Sequence, residues 1–375
     1  MKKILLTTVA LLSMASASVF GMYGVDTDWI LFLTHGNQFR ARLDQLGFTL
    51  GNDTIKGTFG FDNNTSFGGI HGAMLNKPTT GQNSGDNYNW IPSISMGLAY
   101  TSSVISVGVG YNATIGADRY RAKENGKMGN EVTHTPVLVL NALDNAFRMA
   151  ILIQVFVRNE EVGGVKQKEQ AVSLDSQFRY YTGLDFLPQI RWYLRYGNYS
   201  YDNGTTKGKY AESFGFDFRL YFGSVVEEVT LNPIVRLVYN GALGKQHNIT
   251  RVQAVNAMNN SSWTAYNNSQ TVWEKGAWDL LLMPGLALSA NSDVVTFYFE
   301  SQLGLRVNQA GSATDKNVKE TYGLGYNVYA EIYITPIKNL EWYFEAEIGN
   351  AMNTTNPTGL QWNGSTGITW YLPAL

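Results

Sequence analysis

Any chemistry in this chain would fall to charged side chains on the polar faces of its amphipathic segments. Basic groups come early, at Arg40, Arg42, Arg179, Arg191, Arg195 and Arg219. Acidic groups come late, at Glu300, Glu331, Glu341, Glu345 and Glu347, with Asp217 among the basic set. Fixed charges lining an aqueous constriction tune the passage of ions and dipolar solutes, and a basic wall facing an acidic one sets up a transverse field. The competing arrangement is a filled interior in which the same charges merely pair. Enzyme chemistry finds no support. There is no His-Glu-x-x-His, no Gly-x-Ser-x-Gly and no phosphate-binding glycine loop. The four histidines, His35, His71, His134 and His247, are not spaced as a metal pair. With no cysteine, thiolate sites, disulfides and a lipid-modified N-terminal Cys are excluded. No enzyme activity and no cofactor are expected, and a net charge of −2 argues against a nucleic-acid partner.

The elements that must carry these charges announce themselves by alternation. In Leu340-Glu341-Trp342-Tyr343-Phe344-Glu345-Ala346-Glu347-Ile348 the even positions are apolar and the odd ones Glu or Tyr. Between Tyr322 and Ile334, the even positions hold Tyr, Leu, Val, Ala and Ile, and Asn327, Tyr329, Glu331 and Tyr333 take the other face. Side chains alternate across a β-strand, so each segment has one greasy and one wet side. In Gln189-Ile190-Arg191-Trp192-Tyr193-Leu194-Arg195-Tyr196 both arginines share the wet side. A slip by one residue would turn each toward lipid at a cost of about 2–4 kcal/mol near the bilayer midplane. Only 15% of residues are charged, 13% are aromatic and 38 are glycine. That composition suits a wall with lipid outside and water inside, so the expected fold is an all-β transmembrane antiparallel meander barrel.

Lys2 and Lys3, the apolar stretch Ile4 to Leu12 and small residues after it read as a signal peptide over residues 1–21, with the barrel over 22–375. Cleavage could follow Ala17 or Gly21. Paired strand candidates follow, joined alternately by tight turns and by long polar segments near residues 62–89, 113–133, 159–169, 197–210, 240–275, 308–319 and 350–360. Short periplasmic turns and long extracellular loops are expected of such a barrel. Parity, with strands at about 25–34 and 39–50 opening the series, predicts about 16 strands. If residues 25–50 form a helix or plug instead, about 14 remain. The run Trp29-Ile30-Leu31-Phe32-Leu33 does not alternate and fits a strand least well. The loop 240–275 is expected at the surface. Its Trp263, Tyr266 and Trp273 leave an inward fold open. Trp90, Tyr100, Trp192, Tyr196, Tyr322, Trp342 and Trp370 are placed for interfacial girdles.

The segment Leu33-Thr34-His35-Gly36-Asn37-Gln38-Phe39-Arg40-Ala41-Arg42-Leu43-Asp44-Gln45-Leu46-Gly47-Phe48-Thr49-Leu50-Gly51-Asn52-Asp53-Thr54-Ile55-Lys56-Gly57-Thr58-Phe59-Gly60-Phe61 resembles the opening of the variable surface proteins of Brachyspira, the intestinal spirochaetes. The resemblance implies an abundant, antigenically variable protein of the cell outer membrane with loops exposed at the cell surface. Thr366-Gly367-Ile368-Thr369-Trp370-Tyr371-Leu372 resembles a barrel-insertion signal, though the chain continues through Pro373-Ala374-Leu375. Expected partners are therefore outer-membrane lipid and, through the last strand, the barrel-assembly machinery. A homo-oligomer and host surface contacts are also open. The expected function is a porin-like passive pore for small hydrophilic solutes, displaying variable loops. The alternative is a structural surface antigen or adhesin with a plugged, non-conducting barrel.

Overall fold

The computed structural model describes residues 28–42, 45–63, 92–115, 130–162, 164–202, 204–205, 207–226, 229–243, 249–257, 274–350 and 360–375. Period-two segments give an antiparallel sheet of β1 (Gln38–Arg42), β2 (Gln45–Gly51), β3 (Ile55–Asn63), β4 (Pro92–Tyr100), β5 (Ile105–Ile115), β6 (Asn130–Ala142), β7 (Phe147–Val162), β8 (Val165–Tyr181), β9 (Gln189–Asp202), β10 (Lys207–Tyr221), β11 (Ser224–Val226), β12 (Val229–Ala242), β13 (Trp278–Asn291), β14 (Val295–Gln309), β15 (Thr321–Ile337), β16 (Leu340–Gly349) and β17 (Gln361–Tyr371). Neighbours in sequence are neighbours in the sheet, and β1 pairs with both β2 and β17, which closes the ring. The stub β11 pairs with β12 beside the direct β10–β12 ladder, so the barrel has 16 staves. Closure leaves no sheet edge for hydrocarbon to meet.

The two faces divide as alternation requires. Phe214 and Phe218 are 38% and 37% exposed on the outside, with Trp342, Phe344, Ile348, Ile368 and Trp370. Arg191, Asp217, Glu331, Tyr343 and Glu345 are buried on the inside. Tyr100, Tyr322, Trp342 and Trp370 lie on the outer face as expected of girdle residues, and Trp90 lies outside the described residues.

Three expectations need correction. The segment expected as a strand at 25–34 instead holds a 3-10 helix, Asp28–Thr34, and the segment expected as one strand at 39–50 supplies both β1 and β2. A run that is apolar on every side has no wet face, so it cannot form part of a wall with lipid on one side and water on the other. The count of 16 survives because a short hairpin replaces the lost strand. The expected loops at 159–169 and 197–210 are largely strand: β7 reaches Val162, β8 restarts at Val165, β9 reaches Asp202 and β10 begins at Lys207. Polar composition there marks wall with little apolar demand on its outer face. The barrel is consequently uneven in height, from 5 residues in β1 to 17 in β8.

Asn37 ties the seam. Its Nδ2 donates to the carbonyls of Gly51 (3.0 Å) and Pro373 (2.7 Å), and its Oδ1 accepts from Gly51 N (2.9 Å). Leu372 N donates to the Asn37 carbonyl at 2.9 Å. One side chain thus joins the entry to β1, the β2–β3 turn and the tail after β17.

Candidate functional site: a filled barrel lumen

Among the described residues, two pieces of chain besides the wall lie in the lumen. The first is the 3-10 helix. Trp29, Ile30, Leu31, Phe32 and Leu33 are each no more than 4% exposed, packed with Ala99, Val137, Val139, Ala150 and Leu152 from the inner faces of β4, β6 and β7. The wall is shaped for it. A Cβ on Gly110 of β5 would stand 2.4 Å from the Trp29 ring, one on Gly97 of β4 2.8 Å from it, and one on Gly108 3.2 Å from Leu33. Full burial of a large apolar side chain contributes about 1.5–3 kcal/mol, so this helix is held by far more than its backbone. Polar latches close its C-terminal end. Lys56 Nζ donates to the carbonyls of Leu33 (2.9 Å) and His35 (2.7 Å), and Arg148 Nη1 approaches Thr34 Oγ1 at 3.5 Å. His35, in the linker to β1, has its pKa pushed down to about 3 by burial first and then by Arg40, Lys56, Arg148 and Arg179. Burial and the neighbouring cations thus favour its neutral form.

The second piece is residues 249–257, from the longest loop. Val252, Ala254 and Val255 pack on Phe156, Ala171, Tyr199, Tyr210 and Ala211. Their backbone N–H groups donate to Ser213 Oγ (2.7 Å), Ser173 Oγ (2.9 Å) and Gln154 Oε1 (3.3 Å). Gly197 of β9 makes the room, since a Cβ there would lie 2.2 Å from the Val252 carbonyl oxygen. The expectation of a surface loop over 240–275 is therefore corrected for this stretch: Ile249, Val252, Ala254 and Val255, set among polar residues, give it an apolar face that the tall wall can bury. Trp263, Tyr266 and Trp273 lie outside the described residues.

Each expected site residue faces the interior, but closure redistributes the charges. Arg40 and Arg42 do not stand on a basic wall, because β1 lies beside β17 and one strand from β16. Arg42 Nη1 and Nη2 donate to both oxygens of Glu345 at 3.2 Å, with its guanidinium 4.5 Å from the Tyr343 ring. Arg40 Nε donates to Thr369 Oγ1 at 3.1 Å, and Glu341 accepts from Tyr371 at 3.1 Å. Glu331 accepts from Tyr333 (3.1 Å) and from Tyr329, and Glu300 from Tyr298 (2.6 Å) and from Gln302. Asp217 receives paired donors from both Arg219 (3.0 and 2.8 Å) and Arg236 (3.2 and 2.8 Å). Arg195 lies 3.5 Å from Asp175. Arg191 stacks over Tyr221 at 4.6 Å, Arg179 is 2% exposed, and Glu347 is half-buried opposite Tyr329 and Asn363. Sequence reasoning missed Arg236, the Arg306–Asp279 pair (2.7 and 3.0 Å) and the Arg158–Glu131–Glu169 triad (2.9 and 2.8 Å). All sit at inward parity on their strands, and that parity was the available signal.

A closed meander of 16 strands, apolar without and polar within, defines an outer-membrane-type β-barrel. A family model described as Serpulina hyodysenteriae variable surface protein matches residues 2–371, and the chain belongs to that family. The resemblance seen in residues 33–61 is thereby borne out over nearly the whole chain. Among solved structures, the translocator domain of autotransporter NalP from Neisseria meningitidis is 13% identical, covering 90% of this chain and 89% of that one, with a TM-score of 0.31. CdiB from Acinetobacter baumannii is 10% identical, covering 90% of this chain and 60% of that one, with a TM-score of 0.38. No curated protein matches.

Proposed function

We propose that this variable surface protein is a plugged outer-membrane barrel that displays loops at the cell surface, with its turns toward the periplasm. The observation that supports this most is the apolar helix Asp28–Thr34 seated in a glycine-lined cradle inside the wall. A pore lumen needs water along its axis, whereas here large side chains such as Trp29, Phe32, Arg179 and Arg306 are fully buried. The inward stretch 249–257 and the paired charges fill further space. A rigid, filled barrel is a sound base for loops that change in sequence, because surface segments that are not packed into the core tolerate change. Outer-membrane lipid would meet its apolar face, and the barrel-assembly machinery would read its last strand.

The porin-like passive pore, the function expected from the sequence, becomes the second reading here, supported by buried polar side chains on the inner wall such as Asn112, Thr133, Gln177 and Asn240. Planar-bilayer recording of the refolded chain separates the two. The plugged barrel should give no steady steps of porin size, and Gly110→Val, which evicts the Trp29 ring, should introduce them. Steady porin-size steps from the unaltered chain would reverse the assignment.

A further inference from the structure

One row of the inner wall carries more positive charge than its neighbours offset. Register pairs Arg148 with Arg179, Arg179 with Arg191, Arg191 with Arg219 and Arg219 with Arg236, so five guanidinium groups occupy matching positions on β7, β8, β9, β10 and β12. Directly opposed like charges on adjacent strands are destabilising. The carboxylate within this row is Asp217, and it is engaged by Arg219 and Arg236. Glu300, electrostatically coupled to Tyr221, is already held by Tyr298 at 2.6 Å and by Gln302.

At one point of the row, donor atoms are left over. Arg191 Nη2 donates to Gln189 Oε1 at 3.0 Å, and its guanidinium lies 4.6 Å from the centre of the Tyr221 ring. Gln189 and Tyr221 are themselves register partners. Arg191 Nε, Gln189 Nε2 and Tyr221 Oη are all buried and have no hydrogen-bond partner, on residues that are 6%, 0% and 0% exposed. A buried donor without an acceptor has given up its water and gained nothing in return, and the loss is larger when the donor is charged. Three such donors on touching residues, beside surplus positive charge, call for an acceptor with several oxygens.

We propose that Arg191, Gln189 and Tyr221 form a lumenal site for a small oxyanion of the phosphate class, drawn there by the arginine row. Arg191 supplies charge and Nε–H, Gln189 an amide N–H and Tyr221 its hydroxyl. Arg148 and Arg179 add field without being required as donors. The site stands on wall geometry alone and does not depend on whether the barrel conducts.

The test uses the full refolded chain in detergent, exchanged into phosphate-free buffer. Thermal unfolding is followed while inorganic phosphate is added, with sodium chloride at matched ionic strength in parallel. Phosphate should raise Tm saturably and beyond chloride. Arg191→Gln should weaken the apparent affinity about tenfold or more, the weight of a charge-assisted hydrogen bond. Tyr221→Phe, which keeps the ring and removes only the hydroxyl, should weaken it less. Phosphorus NMR line broadening reads binding to the unaltered chain directly, so an unstable variant does not blunt the result. Equal shifts from both salts, no phosphate response, or a response undiminished in both variants (an adventitious ion only) would overturn the proposal.

Discussion

Asp217 shows how much a single lumenal side chain can carry. It is 1% exposed and receives two parallel donors from each of two arginines. Removing one partner of a buried ion pair typically costs about 3–5 kcal/mol because the other charge stays behind. Asp217→Asn should therefore lower the denaturant midpoint clearly, and charge-neutral Asp217→Asn combined with Arg236→Gln should recover part of the loss. His35 gives the pH dependence. Its proton affinity is lowered in the fold, so the unfolded or unlatched chain takes up a proton near its ordinary value of 6.5 and the folded chain does not until about 3. Stability is full above about 6.5 and falls as pH drops from there toward 3. The limit is about 1.4 kcal/mol per pH unit, and the partial water access of His35 keeps the true slope below it. His35→Gln should flatten this limb of the stability–pH curve. An identical curve would exclude His35 as its source.

At the scale of elements, the two inserted pieces are the parts to disturb. Trp29→Ala empties the centre of the glycine cradle and should cost about 3–5 kcal/mol of the helix's seating. Much of that should appear as lost hydrogen-exchange protection over residues 28–34, with the strands unchanged. Gly197→Val places a branched side chain against the Val252 carbonyl and should release residues 249–257 from the wall. A cysteine at position 254 should then become reactive to a water-soluble maleimide, having been shielded before. The elements themselves were legible to different degrees. The strand at Leu340–Gly349 was plain from its alternation. The helix was not, because a short apolar run reads equally as buried strand or buried helix. Gly108 and Gly110 share a parity with Ser106 along β5, but nothing local in the sequence says what they make room for.

The molecule as a whole is a ring, and the ring decides which charges meet. Arg42 and Glu345 are 303 positions apart along the chain and make a buried bidentate pair. Such a pair forms only once β1 has docked on β17. Asn37, bonded to both sides of that seam, should report on closure. Asn37→Ala should leave strand content intact yet lower the temperature at which the barrel loses its compact, heat-modifiable migration in SDS gels. An unchanged transition would remove Asn37 from the closure mechanism.

Alternation along the chain was enough by itself to predict an antiparallel barrel, which face of each strand is apolar, and that Arg191, Asp217 and Glu345 point inward. These are local properties: each residue's side of the sheet follows from its parity. What fills the lumen and which charges pair were decided only by tertiary structure. Both depend on closing the ring and on the shape of the space it encloses, and neither a period of two nor a count of charges contains that shape.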